Sequence, residues 1–144
     1  MTMAITLRKS RTIIAKALAK GREAGMKPLS VCVLDAGGHL KAFEREDDAS
    51  IGRFDIARGK AGGALRMGLG SRALGQRAEQ QAYFLLAAGR IFPDGLVPVP
   101  GGVLVRDRKG AIIGAVGISG DNSDNDEAAA IAGIEAAGFV ADPG

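Results

Sequence analysis

A chain of 144 residues with a net charge of +3, no Trp, one Tyr and five Phe is long enough to bury one largely aliphatic core, and we expect a single domain over 1–144. A lone cysteine, Cys32, and a lone histidine, His39, exclude an intrachain disulfide and leave a protein-only metal site poorly supplied, so none is expected. No apolar run approaches a membrane span, and MTMAITLRKS lacks the apolar stretch of a secretory signal. A cytoplasmic protein that does not enter the membrane is therefore expected.

Thr6 to about Ala24 has helical periodicity, with Leu7, Ile14, Ala17, Leu18 and Gly21 on one face and Thr6 placed to cap. Its six basic residues before Glu23 carry no interleaved aromatics, so they predict a solvated face and no nucleic-acid partner. LSVCVLDAGGHLKAFERE then reads as a hairpin. Val31 to Leu34 form a run suited to a strand covered on both faces, and Gly37-Gly38 predicts a two-residue turn. Ser50 to about Met67 predicts a second helix with Ile51, Phe54, Ala57, Ala61 and Leu65 as its apolar stripe. Gly59, Gly62 and Gly63 each weaken a helix by about 1 kcal/mol relative to Ala, which implies the close approach of another backbone or of a ligand.

Ser71 to Ala88 predicts one or two short helices, and RIFPDG a loop. LVPVPGG, with Pro98 and Pro100, is at most a short or edge strand. GVLVRDRKGAIIGAVGIS predicts a second hairpin turning at Asp107–Gly110, followed by a helix from about Asp124 to Ala137. Two hairpins imply an antiparallel sheet, and the doubly apolar first strand implies helices on both of its faces.

The acidic stretch GISGDNSDNDEAAA fails the spacing of a calcium-binding EF-hand loop from either Asp121 or Asp124. Ser123 with Asp126 imitates a capping box, and acids in a first helical turn favour the helix dipole by about 0.3–1 kcal/mol each. Glu127 is then the carboxylate left to face a pocket at the helix start. Gly68-x-Gly70-x-x-Ala73 follows helical sequence rather than a strand, against a dinucleotide fingerprint. His39 is either a polar residue at a hairpin tip or a ligand. Because a macrocycle brings four nitrogens of its own, heme is compatible with a single His. Lys60, set among small residues, is either solvated or turned into a cleft to hold an anion. Gly101-Gly102 form either a plain turn or a pair of N–H groups for a ligand.

VCVLDAGGHLKAFERED, IARGKAGGAL, VPVPGGVLVRD with GAIIGAVGISG, and SDNDEAAAIAGIEAAGF occur in this order. The set resembles the GlcG/HbpS-like heme-binding, or heme-degrading domain, family, related to the C-terminal domain of PduO-type corrinoid adenosyltransferases. The resemblance implies an α+β, profilin-like α/β/α fold with a five-stranded antiparallel sheet flanked by helices. It also implies homo-oligomers, dimers or higher, and in some members heme binding or slow heme degradation. His39, Lys60, Gly101 and Gly102 fall on its motif positions. The first expectation is a homo-oligomer that binds heme or another small anionic ligand, with His39 as axial ligand and Lys60 as anion partner; Met67 and Tyr83 are weaker candidate ligands. The second is a metal-free enzyme on a small organic acid, in which Lys60, Arg53 or Arg58 holds a carboxylate and His39 or Glu44 moves a proton. The third is an accessory oligomeric domain beside a larger enzyme in a catabolic pathway. The sequence leaves open whether the chain is an enzyme.

Overall fold

The computed structural model describes residues 4–144. One of its interior strands is β1 (Ser30–Asp35), whose first five residues are buried as the unbroken apolar run predicts. β1 pairs on one side with β2 (Leu40–Arg45). After α2 (Arg53–Met67), α3 (Ser71–Ile91) and β3 (Gly102–Arg106), the chain returns as β4 (Ile112–Ser119), which lies between β1 and β3. A short β5 (Val140–Asp142) closes the far edge, giving the order β2-β1-β4-β3-β5 with every pair antiparallel. α1 (Leu7–Glu23) and α4 (Ser123–Ala136) cover one face, while α2 covers the other with α3 outside it. The fold is α+β, a five-stranded antiparallel sheet flanked by four helices.

Strand alternation divides the core. Val31, Val33, Val116 and Ile118 meet Ile13, Ile14 and Ile134 beneath α1 and α4. Cys32, Leu34, Leu104 and Ala115 meet Ala57 and Ala61 beneath α2. Each large aliphatic side chain so buried contributes about 1.5–3 kcal/mol. The α2 side is thin because helix and sheet touch through backbone. A Cβ on Gly117 would overlap the carbonyl oxygen of Ala57, and one on Gly102 would overlap that of Lys60.

The outer glycines of α2 serve a second close approach. The segment after α3, residues 92–99, lies across them as a strap. Val97 fills the space beside Gly59, Asp94 that beside Gly62 and Leu96 that beside Gly63. The Val97 N–H also donates to the Gly59 carbonyl at 3.2 Å. The closely approaching group at these glycines is therefore the chain itself, and no hollow is left there for a guest.

Both hairpins turn by one device, a D-x-x-G sequence. Gly38 (φ +83°) and Gly110 (φ +87°) take the left-handed conformation, and their N–H groups donate to the carbonyls of Asp35 and Asp107 at 3.0 Å. This is a three-residue loop ending in a glycine bulge, not the expected two-residue turn at Gly37-Gly38, because only Gly38 has positive φ. Several other expectations change. α2 starts at Arg53, so Ile51 precedes it and is 84 % exposed, off the expected stripe. Leu7 is half-exposed, and Ser10 and Ile13 join the buried face of α1. LVPVPGG forms no strand before Gly102. α3 is one run of helix broken at Gln81 (φ −134°, ψ 50°).

Candidate functional site

The two ends of the sheet have different chemistry. At the end where β1 begins and β4 finishes, Lys60 and Asp126 are 2 % and 1 % exposed and form an ion pair with Nζ 3.1 Å from Oδ2. The Lys60 ammonium also donates to the Ile118 carbonyl at 2.9 Å, and Asp126 Oδ1 accepts from the Asp121 N–H at 2.9 Å. Burial pushes the Lys60 ammonium below its ordinary range and the Asp126 carboxyl above its own, and the attraction between the two opposes both shifts. Gly101 (φ +120°) passes directly over the ammonium, where a Cβ would lie 2.8 Å from Nζ. The Gly102 N–H donates to Ser71 Oγ at 2.7 Å.

The acidic stretch is thereby accounted for residue by residue. Asn122, not Ser123, caps α4, its side chain accepting from the Asn125 N–H at 2.9 Å. Asp121 accepts N–H bonds from Asn122 and Lys27, which hold its carboxyl below the usual range. Glu127 receives Arg72 through Nε at 2.9 Å and Nη2 at 3.2 Å, and Asp124 pairs with the same guanidinium. Asp126 is no cap; it is the internal counter-charge of Lys60.

Of the residues expected to contact a ligand, Lys60, Gly102 and Glu127 each have a partner within the chain, the Gly101 carbonyl accepts from the Ile118 N–H at 3.0 Å, and the Lys60 ammonium is buried between its two partners. Arg53 donates to Ser119 Oγ at 3.1 Å. Arg58 Nε lies 2.9 Å from Asp94 Oδ1, an ion-pair distance without hydrogen-bond alignment. Glu44 is exposed and lines a polar cleft with Arg22, Arg45 and Glu46, opposite Val31 and so remote from the hairpin tip. Cys32 is buried under α2, and that burial raises its thiol from an ordinary 9.0 to about 12.

The opposite end of the sheet, where both D-x-x-G turns lie, presents His39. Asp35 Oδ1 accepts the N–H groups of Gly37 and His39, each at 3.0 Å, so the turn is held by the aspartate and not by the imidazole. Among the described residues the imidazole has no hydrogen-bond partner. It is exposed and borders an open cavity of about 340 Å³, floored by Ala4, Ile5, Ala36 and Ile113 and edged by Asp35. Across the turn, the Arg66 guanidinium approaches Gly38. Val31, the strand partner of Ile118, stands four residues from Asp35, or about 13 Å along the strand. Moreover, the cavity opens toward the α1 side whereas Lys60 projects from α2. One ligand therefore does not meet both His39 and Lys60 of the same chain.

Heme can be tested against this cavity. An imidazole free to bind iron and an aliphatic floor fit one face of a macrocycle. The volume lies at the small end of ligand cavities, about 300–1,000 Å³, so one chain supports only part of so large a guest. Among the described residues, no three His, Cys, Asp or Glu side chains are placed to hold a bare metal ion. No helix among them is long and apolar enough to cross a membrane.

Known structures share this architecture. The protein ORFY of Klebsiella pneumoniae is 23 % identical with a TM-score of 0.84, over 96 % of this chain and 94 % of its own. PduOC, solved as a complex with heme, is 22 % identical with a TM-score of 0.80, over 95 % and 97 %. A double mutant of HbpS from Streptomyces reticuli is 26 % identical with a TM-score of 0.80, over 94 % and 88 %. No curated protein matches the chain. The sequence pattern described as "Haem degrading protein HbpS-like" matches residues 5–135, and the chain belongs to that HbpS-like family.

Proposed function

We propose that this HbpS-like protein binds heme at the hairpin end of its sheet, where the His39 imidazole would ligate the iron and Ile5 and Ile113 would supply the apolar contact. The observation that carries this reading is the His39 side chain itself. It is the chain's one imidazole, it is exposed beside an aliphatic floor, and its own turn does not need it. Membership of the HbpS-like family and the heme complex of PduOC support the choice of ligand. Bound heme would supply redox and dioxygen chemistry; the chain's part is to ligate, orient and partly cover it. Because the open cavity of about 340 Å³ in one chain would hold only part of a macrocycle, the working form is a homo-oligomer whose second copy would complete the enclosure. The buried, unpaired Cys32 suits a reducing cytoplasm.

The organic-acid reading finds less support, since Arg53, Arg58 and Lys60 each face a partner within the chain. Titration with hemin, read at the Soret band, tests the proposal. The expected result is a saturable red-shifted band for wild type that is lost or displaced in His39→Ala. An identical spectrum in His39→Ala removes the ligand assignment, and a titration that never saturates removes heme.

A further inference from the structure

The second half of α3, beyond the break at Gln81, has the sequence AYFLLAAGRI. Leu85 and Ala88 are buried, but the opposite face is open. Tyr83 and Leu86 are each 72 % exposed and Ile91 is 79 % exposed, with Ala82, Ala87 and Arg90 exposed between them. Arg90 is the one charged residue in this ten-residue stretch, and a helix apolar on nearly all sides is normally buried on all sides. Beside it runs a groove of about 520 Å³ between α3 and the strap. Its α3 side is formed largely by the small residues Ala78, Ala82 and Gly89, and its far wall by Leu96 and Val97.

We propose that this outer face of α3 pairs antiparallel with the same face of a second copy of the chain. Protruding side chains and a groove of matching character lie on one patch, as a two-fold interface requires, where every knob must meet a hole on an identical surface. Charge fixes the direction. Glu79 is exposed four residues before Tyr83, and Arg90 is exposed four residues after Leu86. With the two-fold axis between Phe84 and Leu85, Tyr83 faces Leu86 of the second copy and Glu79 faces Arg90 of the second copy. A parallel arrangement would set each of these charges beside its own kind. Glu79 also borders the cleft formed with Pro98 and Val99, next to the groove, so the acid lies at the end of the patch where the pairing needs it.

This surface lies on the α2 side of the sheet, away from the His39 cavity, so it adds an interface to the homo-oligomer proposed above without closing over the heme site, and it does not depend on heme. The test is sedimentation or light scattering of the full chain, with circular dichroism to confirm folding. Wild type is expected above the 14.7 kDa of one chain, and Leu86→Glu is expected to fall to half the wild-type mass or less. Glu79→Arg and Arg90→Glu alone should each raise the dissociation constant about tenfold, and the two together should restore it. That rescue keeps the test decisive if Leu86→Glu misfolds. A larger wild type whose mass survives all three single changes overturns the α3 surface alone. A wild type of 14.7 kDa at micromolar concentration overturns both the surface and the oligomer.

Discussion

Replacing Lys60 by Met leaves the Asp126 carboxylate 1 % exposed with its cation gone. Removing one partner of a buried pair costs about 3–5 kcal/mol, because an uncompensated charge stays in a low dielectric. For a chain of this length, each kcal/mol lowers the melting temperature by about 3 °C, so Lys60→Met should melt about 10–15 °C below wild type. Lys60→Met with Asp126→Leu removes both charges and gives up the bond from the Asp121 N–H, worth about 1 kcal/mol, so it should recover most of the loss. The pH dependence has a definite sign. Burial holds Asp126 above its ordinary 3.8, so the unfolded chain ionises first and this group's contribution to stability falls as pH rises from 3.8 through the raised value. Burial holds Lys60 below 10.5, so the folded chain loses that proton first and its contribution climbs between the lowered value and 10.5. The double variant lacks both slopes, and its stability relative to wild type should peak near neutrality. Urea unfolding followed by circular dichroism across pH measures this. A Lys60→Met loss under about 1 kcal/mol, or a wild-type-to-double difference that is flat with pH, would refute the argument.

Two further substitutions check how the elements meet. Gly117→Ala forces a methyl into the Ala57 carbonyl and should destabilise by about 1–3 kcal/mol or more, whereas Gly52→Ala, with open space and a helical φ of −72°, should stabilise by about 0.4–1 kcal/mol. Urea midpoints that move alike in the two variants would contradict the contact between α2 and the sheet. Asn122→Ala should cost about 1 kcal/mol and Ser123→Ala clearly less, since only Asn122 accepts the capping bond; the reverse order of midpoints would return the cap to Ser123.

Local chemistry explains which parts of the fold were readable. The Val31–Leu34 run announces an interior strand, Thr6 caps α1 by accepting from the Lys9 N–H at 3.1 Å, and Asp107–Gly110 turns where the sequence places it. The first turn differs from the two-residue turn that Gly37-Gly38 suggests because Asp35 sets its geometry and only Gly38 takes a positive φ. The α4 cap moved by one residue because Asn122 and Ser123 are both good caps and only backbone geometry decides between them. The glycines of α2 correctly signalled close approach, but nothing local says whether chain or ligand approaches. Pairing of Lys60 with Asp126 joins positions 66 apart and is invisible to periodicity. The available hint was a lysine among small residues together with more acids than one helix start requires. β5, at three residues, is too short to show alternation.

Because an aspartate carries each tip, the side chain that follows the bulge glycine is an interchangeable fitting. His39 occupies one such socket and Ala111 the other, on neighbouring corners of the same rim. The scaffold thus offers one equipped mount and one blank. Swapping the donor at the first, or adding one at the second, changes the chemistry on offer without asking the backbone for a new shape.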